Sequence, residues 1–159
     1  MRRAALLLSL LVAVGCATRA SRDYTPALAR FFLEAPSGDG AAATLPVSGV
    51  RIAIAPKPVI TEFDVVNVEV AQVELGKCLM FQLTPAAARD LYRLTGSNQG
   101  RRLVLAVDGE PVGARLIDRP LENGTIFTFV ERPDAELPAL VARLKRTSAD
   151  LQREAAKKT

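Results

Sequence analysis

The stretch "TPAAARDLYRLTGSNQG", residues 84–100, reads as a helix with both of its ends encoded. Thr84 suits the cap, because its hydroxyl can accept one of the backbone N–H groups that a first turn leaves unpaired. Pro85 suits the first helical site, where no N–H is needed. Ala87, Ala88, Leu91, Leu94 and Thr95 fall on one face at helical spacing, with Arg89, Asp90 and Arg93 on the other. "GSNQG" ends it. Strand-like runs flank this helix on both sides. "CLMFQL", 78–83, sets Leu79, Phe81 and Leu83 on one side, and "RLVLAV", 102–107, is apolar on both faces, as a central strand is. A single amphipathic helix wedged between strands that need covering directs the chain to an α+β fold.

The remaining pattern extends this reading. "FFLEA", 31–35, is expected as a first strand, with a short helix begun at Thr25–Pro26 as the alternative; "PSGDGAAA", 36–43, is expected as a loop. "GVRIAIA", 49–55, alternates, and Pro56 and Pro58 are expected to close it and to place it at an edge. In "DVVNVEVAQVEL", 64–75, valines 66, 68 and 70 change parity to Val73 and Leu75, which predicts a bulge near Ala71–Gln72. Gly76–Lys77 is expected to turn the chain. "DG" at 108–109 is a tight-turn signal returning into "EPVGARLID", and "ENG", 122–124, turns into "TIFTFV", 125–130. Asp134 opens a last helix with Leu137, Leu140, Val141, Leu144 and Leu151 as its buried stripe. From residue 77 the order is β-α-β-β-β-α: a mostly antiparallel sheet with two helices packed on one face, a variant of the ferredoxin-like pattern.

The amino-terminal end is of a different kind. Arg2 and Arg3 precede an uncharged, Leu-rich run over 4–14, too short for a bilayer core, which needs about 20 apolar residues. It suits a secretory signal over residues 1–15. The run ends in "VAVGC", similar to the lipobox of bacterial lipoproteins, with Cys16 as the group that takes lipid. That resemblance implies acyl chains on mature Cys16, each buried CH₂ adding about 0.8 kcal/mol of membrane affinity. Ala17, where some lipoproteins carry Asp, resembles an outer-membrane address. Residues 16–30 then read as the lipidated cysteine and a tether, and 31–159 as one domain.

Composition narrows the function classes. The formal charge of +4 includes Arg2 and Arg3; without them it is +2, no argument for nucleic acid. With Cys16 committed to lipid, Cys78 has no partner, and its setting in "KCLMFQL" is that of a small packed hydrophobe. The chain has no histidine, which excludes Ser–His–Asp and Cys–His catalysis and His-ligated zinc. Neither a metal, a cofactor nor a small-molecule substrate is expected.

"PVITEFDVVNVEV" followed by "GKCLMFQLTPAAARDLYRLTGSNQGRRLVLAVDGEPVGARLI" resembles the head region of the first periplasmic domain of SecD/SecDF translocation subunits. The shared pattern is a strand (Leu79–Leu83), a small-residue helix (Pro85–Leu94), Thr95/Asn98/Gly100, a strand (Leu103–Val107) ending in Asp108–Gly109, and a return strand. It covers roughly residues 58–130. Ala114–Arg115 stands where that family has "AP". SecD also has six membrane-spanning helices with charged residues that couple proton movement to export. Apart from the signal, no run in this sequence is apolar enough to compare with them, so translocase activity is not implied.

The expected function is therefore a non-catalytic envelope lipoprotein, facing the periplasm and touching a polypeptide or envelope partner. Asn98, Arg101, Arg102, Glu110 and Arg115, in the "SNQGRR" and "VDGEPVGAR" loops, are the candidate contact residues. A structural or assembly subunit docking by a sheet edge is the first alternative. A hydrolase using a pair from Asp108, Glu110, Asp118 and Glu122 is the second; such a pair needs carboxyls about 5–10 Å apart across a cleft.

Overall fold

The computed structural model describes residues 23–36 and 40–157; the expected signal and Cys16 lie outside them. Among the described residues the chain forms β1 (Ala29–Glu34), β2 (Ala41–Thr44), β3 (Arg51–Ile60), β4 (Val65–Val73), β5 (Gly76–Leu83), α1 (Pro85–Gly96), β6 (Arg102–Val107), β7 (Glu110–Leu116), β8 (Thr125–Thr128) and α2 (Leu137–Ala156). A 3₁₀ turn at Asp134–Glu136 leads into α2. All strand pairs are antiparallel, and they divide between two sheets, β2-β3-β1-β6-β7 and β4-β5-β8. The class is α+β, as the patterning implies.

The inner faces of the two sheets meet. Phe31 of β1 and Phe81 of β5 pack edge to face with centroids 5.0 Å apart, a geometry that sets a ring's positive edge against a negative face. Leu79, Leu103, Leu105 and Ile126 surround them, and Leu91 of α1 with Leu137, Leu140 and Leu144 of α2 complete the core. The Thr84 hydroxyl accepts from Ala87 N at 3.3 Å, the cap expected for α1. In α2, Thr147 and Ser148 are buried beyond Leu144, whereas Leu151 is half-buried.

The sheets also touch along one flank. Glu131 N donates to Val112 O at 2.7 Å. A Cβ on Gly113 would lie 2.1 Å from Phe129 O, so only a hydrogen fits there. The five-stranded sheet curls: Ala43 of β2, Ile52 of β3, Val104 of β6 and Ala114 of β7 join in one small cluster on its outer face.

The chain reaches β1 along α2. Asp23 pairs with Arg146, whose guanidinium stands 4.2 Å over the Tyr24 ring, and the Tyr24 hydroxyl donates to Asp150 at 2.6 Å. Ala27 N donates to Thr147 Oγ1 at 3.0 Å, while Arg143 donates to Thr25 O and Pro26 O. The last part of the expected tether is thus strapped to the domain.

Four local expectations are corrected. Residues 41–44, read as loop, form β2, because three alanines carry no alternation and their strand state comes from pairing with Arg51–Ile54. Pro56 and Pro58 lie inside β3 rather than closing it. That strand is second in its sheet, but β2 covers only its first four residues, so the proline half keeps one open edge where no N–H is required. The bulge in β4 is at Val66, between the pairs Val65↔Leu83 and Asn67↔Gln82, and the ladder runs unbroken through Ala71 and Gln72. It carries burial from Val65 to Val68, while Val73 and Leu75 simply leave the core. The hairpin turns at Glu74–Leu75, with Gly76 already paired to Val73 at a φ of 123°.

Candidate functional site

Alternation in β1 and β6 turns Phe31, Leu33, Leu103, Leu105 and Val107 to the core. The intervening Arg30, Phe32, Val104 and Ala106 consequently point to the outer face, where no helix covers them. With Leu28, Ile54 and Pro111 they line an open groove of about 430 Å³. The curl of the sheet makes this face concave. Its walls are apolar except for Arg30 and Asp108.

Both charged groups are tied down. Glu62, nearly buried, accepts from Arg30 Nε and a terminal nitrogen, each at 2.7 Å. The guanidinium's hydrogen bonds hold the Glu62 carboxyl below its ordinary value and raise Arg30 in turn. Asp108 sits at a φ of 53° with Gly109 at 89°, the left-handed pair that a two-residue hairpin turn requires. Its Oδ1 accepts from Leu28 N at 2.8 Å and its Oδ2 from Arg143 at 3.2 Å.

The residues singled out from sequence fall in two places. Asn98 donates to Leu94 O at 2.8 Å and accepts from Arg101, which also donates to Glu34 O; Arg102 N donates to Glu34 Oε2 at 2.9 Å. These three bind the end of α1 to the end of β1. Arg115, across from Leu103, donates to Phe127 O at 3.0 Å and stands 3.8 Å from Asp118. Glu110 is at the opposite end of the β6–β7 hairpin, 3.6 Å from Arg132 and adjoining the groove wall at Pro111. Of the four acids considered for hydrolysis, Asp108 faces Arg143, Glu110 faces Arg132 and Asp118 faces Arg115, while Glu122 lines a separate cleft with Arg115 and Arg119. Cys78 is fully buried, and burial pushes its thiol up.

Sequence reasoning passed over Leu28, Phe32, Ile54 and Ala106. A signal was present: a strand apolar on both faces needs cover twice, and two helices supply it once.

The sequence matches no family model and no curated protein. Solved structures do match. SecDF in a super-membrane-facing form is 18% identical with a TM-score of 0.61, over 75% of this chain and 18% of that one. A SecDF described as a membrane component that enhances protein export is 17% identical with a TM-score of 0.59, over 76% and 62%. SecDF from Thermus thermophilus, a translocon-associated membrane protein, is 18% identical with a TM-score of 0.50, over 78% and 20%. The protein therefore has a SecD-head-like fold, and it spans less than two-thirds of each SecDF chain. No helix among the described residues is long and apolar enough to cross a membrane.

Proposed function

We propose that the protein is a non-catalytic envelope lipoprotein, held at the outer membrane through Cys16, whose SecD-head-like module contacts a polypeptide through the outer groove. One observation carries this reading: an open, concave and largely apolar groove of about 430 Å³ on the outer sheet face, floored by the buried Val104 and Ala106. Concave apolar sites with a few fixed polar groups are where binding concentrates. Similarity to a SecDF that enhances protein export supports a polypeptide as the ligand. Glu110 at one end of the β6–β7 hairpin, and Asn98, Arg101, Arg102 and Arg115 at the other, offer polar contacts beyond the groove. The cations facing Asp108, Glu110 and Asp118 support a role without chemistry.

A photo-crosslinking residue in place of Phe32 or Ala106, with Leu75 as the control position, tests it in intact envelopes. Polypeptide adducts from the groove positions and none from position 75 are expected. Equal yields at all three positions, or none at any, would overturn the proposal.

A further inference from the structure

The straps on Asp23 and Tyr24 fix where the chain leaves the domain: against α2 at Arg146 and Asp150. The turn between β3 and β4 lies at the same pole, since Gln152 of α2 donates to Phe63 O at 2.9 Å. Six residues of α2, about 9 Å of helix axis, separate that contact from Arg146. On this turn and the strand it opens, Phe63 and Val66 are 56% and 51% exposed. From this pole we infer that it is the membrane-facing end, with Phe63 and Val66 entering the lipid interface. The inference rests on the lipid-anchored reading above.

Six residues lie between Cys16 and Asp23. A fully extended chain advances at most about 3.6 Å per residue, so an acylated Cys16 stays within about 25 Å of Asp23. A domain of this size has a radius of gyration of about 14 Å, hence a diameter of some 35–40 Å. The surface around Asp23 is therefore the part an anchor keeps closest to lipid.

The chemistry of the tip fits a bilayer. Phe63 and Val66 are large apolar side chains held out in solvent, which suits a deformable apolar interface. The charges beside the tip are paired: Asp64 Oδ2 accepts from Thr61 N and Oγ1 at 2.8 Å each, while Asp23 meets Arg146 and Arg153 meets Asp150 on the exposed surface. The acyl chains supply attachment, each buried CH₂ adding about 0.8 kcal/mol, and the two side chains supply orientation.

The sequence has no tryptophan, so Phe63→Trp and Leu75→Trp each create a single reporter. Leu75 is 86% exposed in the β4–β5 turn, at the other end of β4. Full-length variants purified from envelopes are placed in phosphatidylethanolamine–phosphatidylglycerol vesicles with brominated acyl chains, and the mass of the amino-terminal fragment reports acylation. Quenching at position 63 and none at position 75 is expected. Acylated protein unquenched at 63, or quenched equally at both positions, overturns the orientation and leaves the anchor standing. An unmodified Cys16 overturns both.

Discussion

The Arg30–Glu62 pair is lopsided, and its two halves should fail differently. The Glu62 side chain is 9% exposed and the Arg30 side chain 44%. Glu62→Gln keeps the shape and leaves a guanidinium that can turn to water, so the cost is that of degraded hydrogen bonds, about 1 kcal/mol. Arg30→Met keeps the aliphatic stem but strands a nearly buried carboxylate. Removing one partner from a buried pair costs about 3 kcal/mol or more. Urea unfolding at pH 7 should therefore rank Arg30→Met well below Glu62→Gln. Acid supplies the second half of the test. The fold lowers the Glu62 pKa from 4.5, so the stability the pair contributes is complete above 4.5 and lost as pH falls through the lowered value. In Arg30→Met the guanidinium is gone and burial raises the Glu62 carboxyl, so protonation relieves the stranded charge earlier in the descent. Both variants should approach the wild type in acid. Equal costs at pH 7, the reverse order, or gaps that persist unchanged at pH 2 would refute this reasoning.

Further outcomes follow from other contacts. Gly113→Ala places a methyl where Phe129 O already lies, 2.1 Å from the new Cβ, and should cost about 3 kcal/mol in thermal or urea unfolding. Thr84→Ala removes the α1 cap and should cost about 1 kcal/mol, read from the same denaturation curves. Arg143→Ala cuts the link between α2, residues 25–26 and Asp108, and amide exchange over residues 24–28 should rise sharply while exchange in β6 holds.

What could be read in the sequence was local. The α1 cap, the Asp108–Gly109 turn and the two-faced apolarity of β6 each depend on neighbours a few residues away, and each took the expected form. β2 could not be read, because Ala41–Ala43 become a strand only through Arg51–Ile54. The parity change in β4 was visible but misplaced: Val66 was counted with Val68 and Val70, although Val65 is the buried residue and Val66 the extra one. The prolines of β3 marked an open edge, not a strand end. The groove was hardest, since it needs the order β2-β3-β1-β6-β7, in which residues some 80 positions apart become neighbours. The candidate residues of the "SNQGRR" loop stood out for their chemistry, and the structure gives Asn98 and Arg101 intramolecular partners that no spacing could reveal.

The bare α-carbon of Gly113 has a mechanical meaning. Where backbones are separated by a single hydrogen, there is no slack: β7 cannot advance toward β8 without driving it. Pro111, two residues earlier, forms part of the groove, and β8 pairs with β5, which carries Phe81 into the middle of the molecule. The two sheets are thus held in direct backbone contact beside the groove, with no side chain between them.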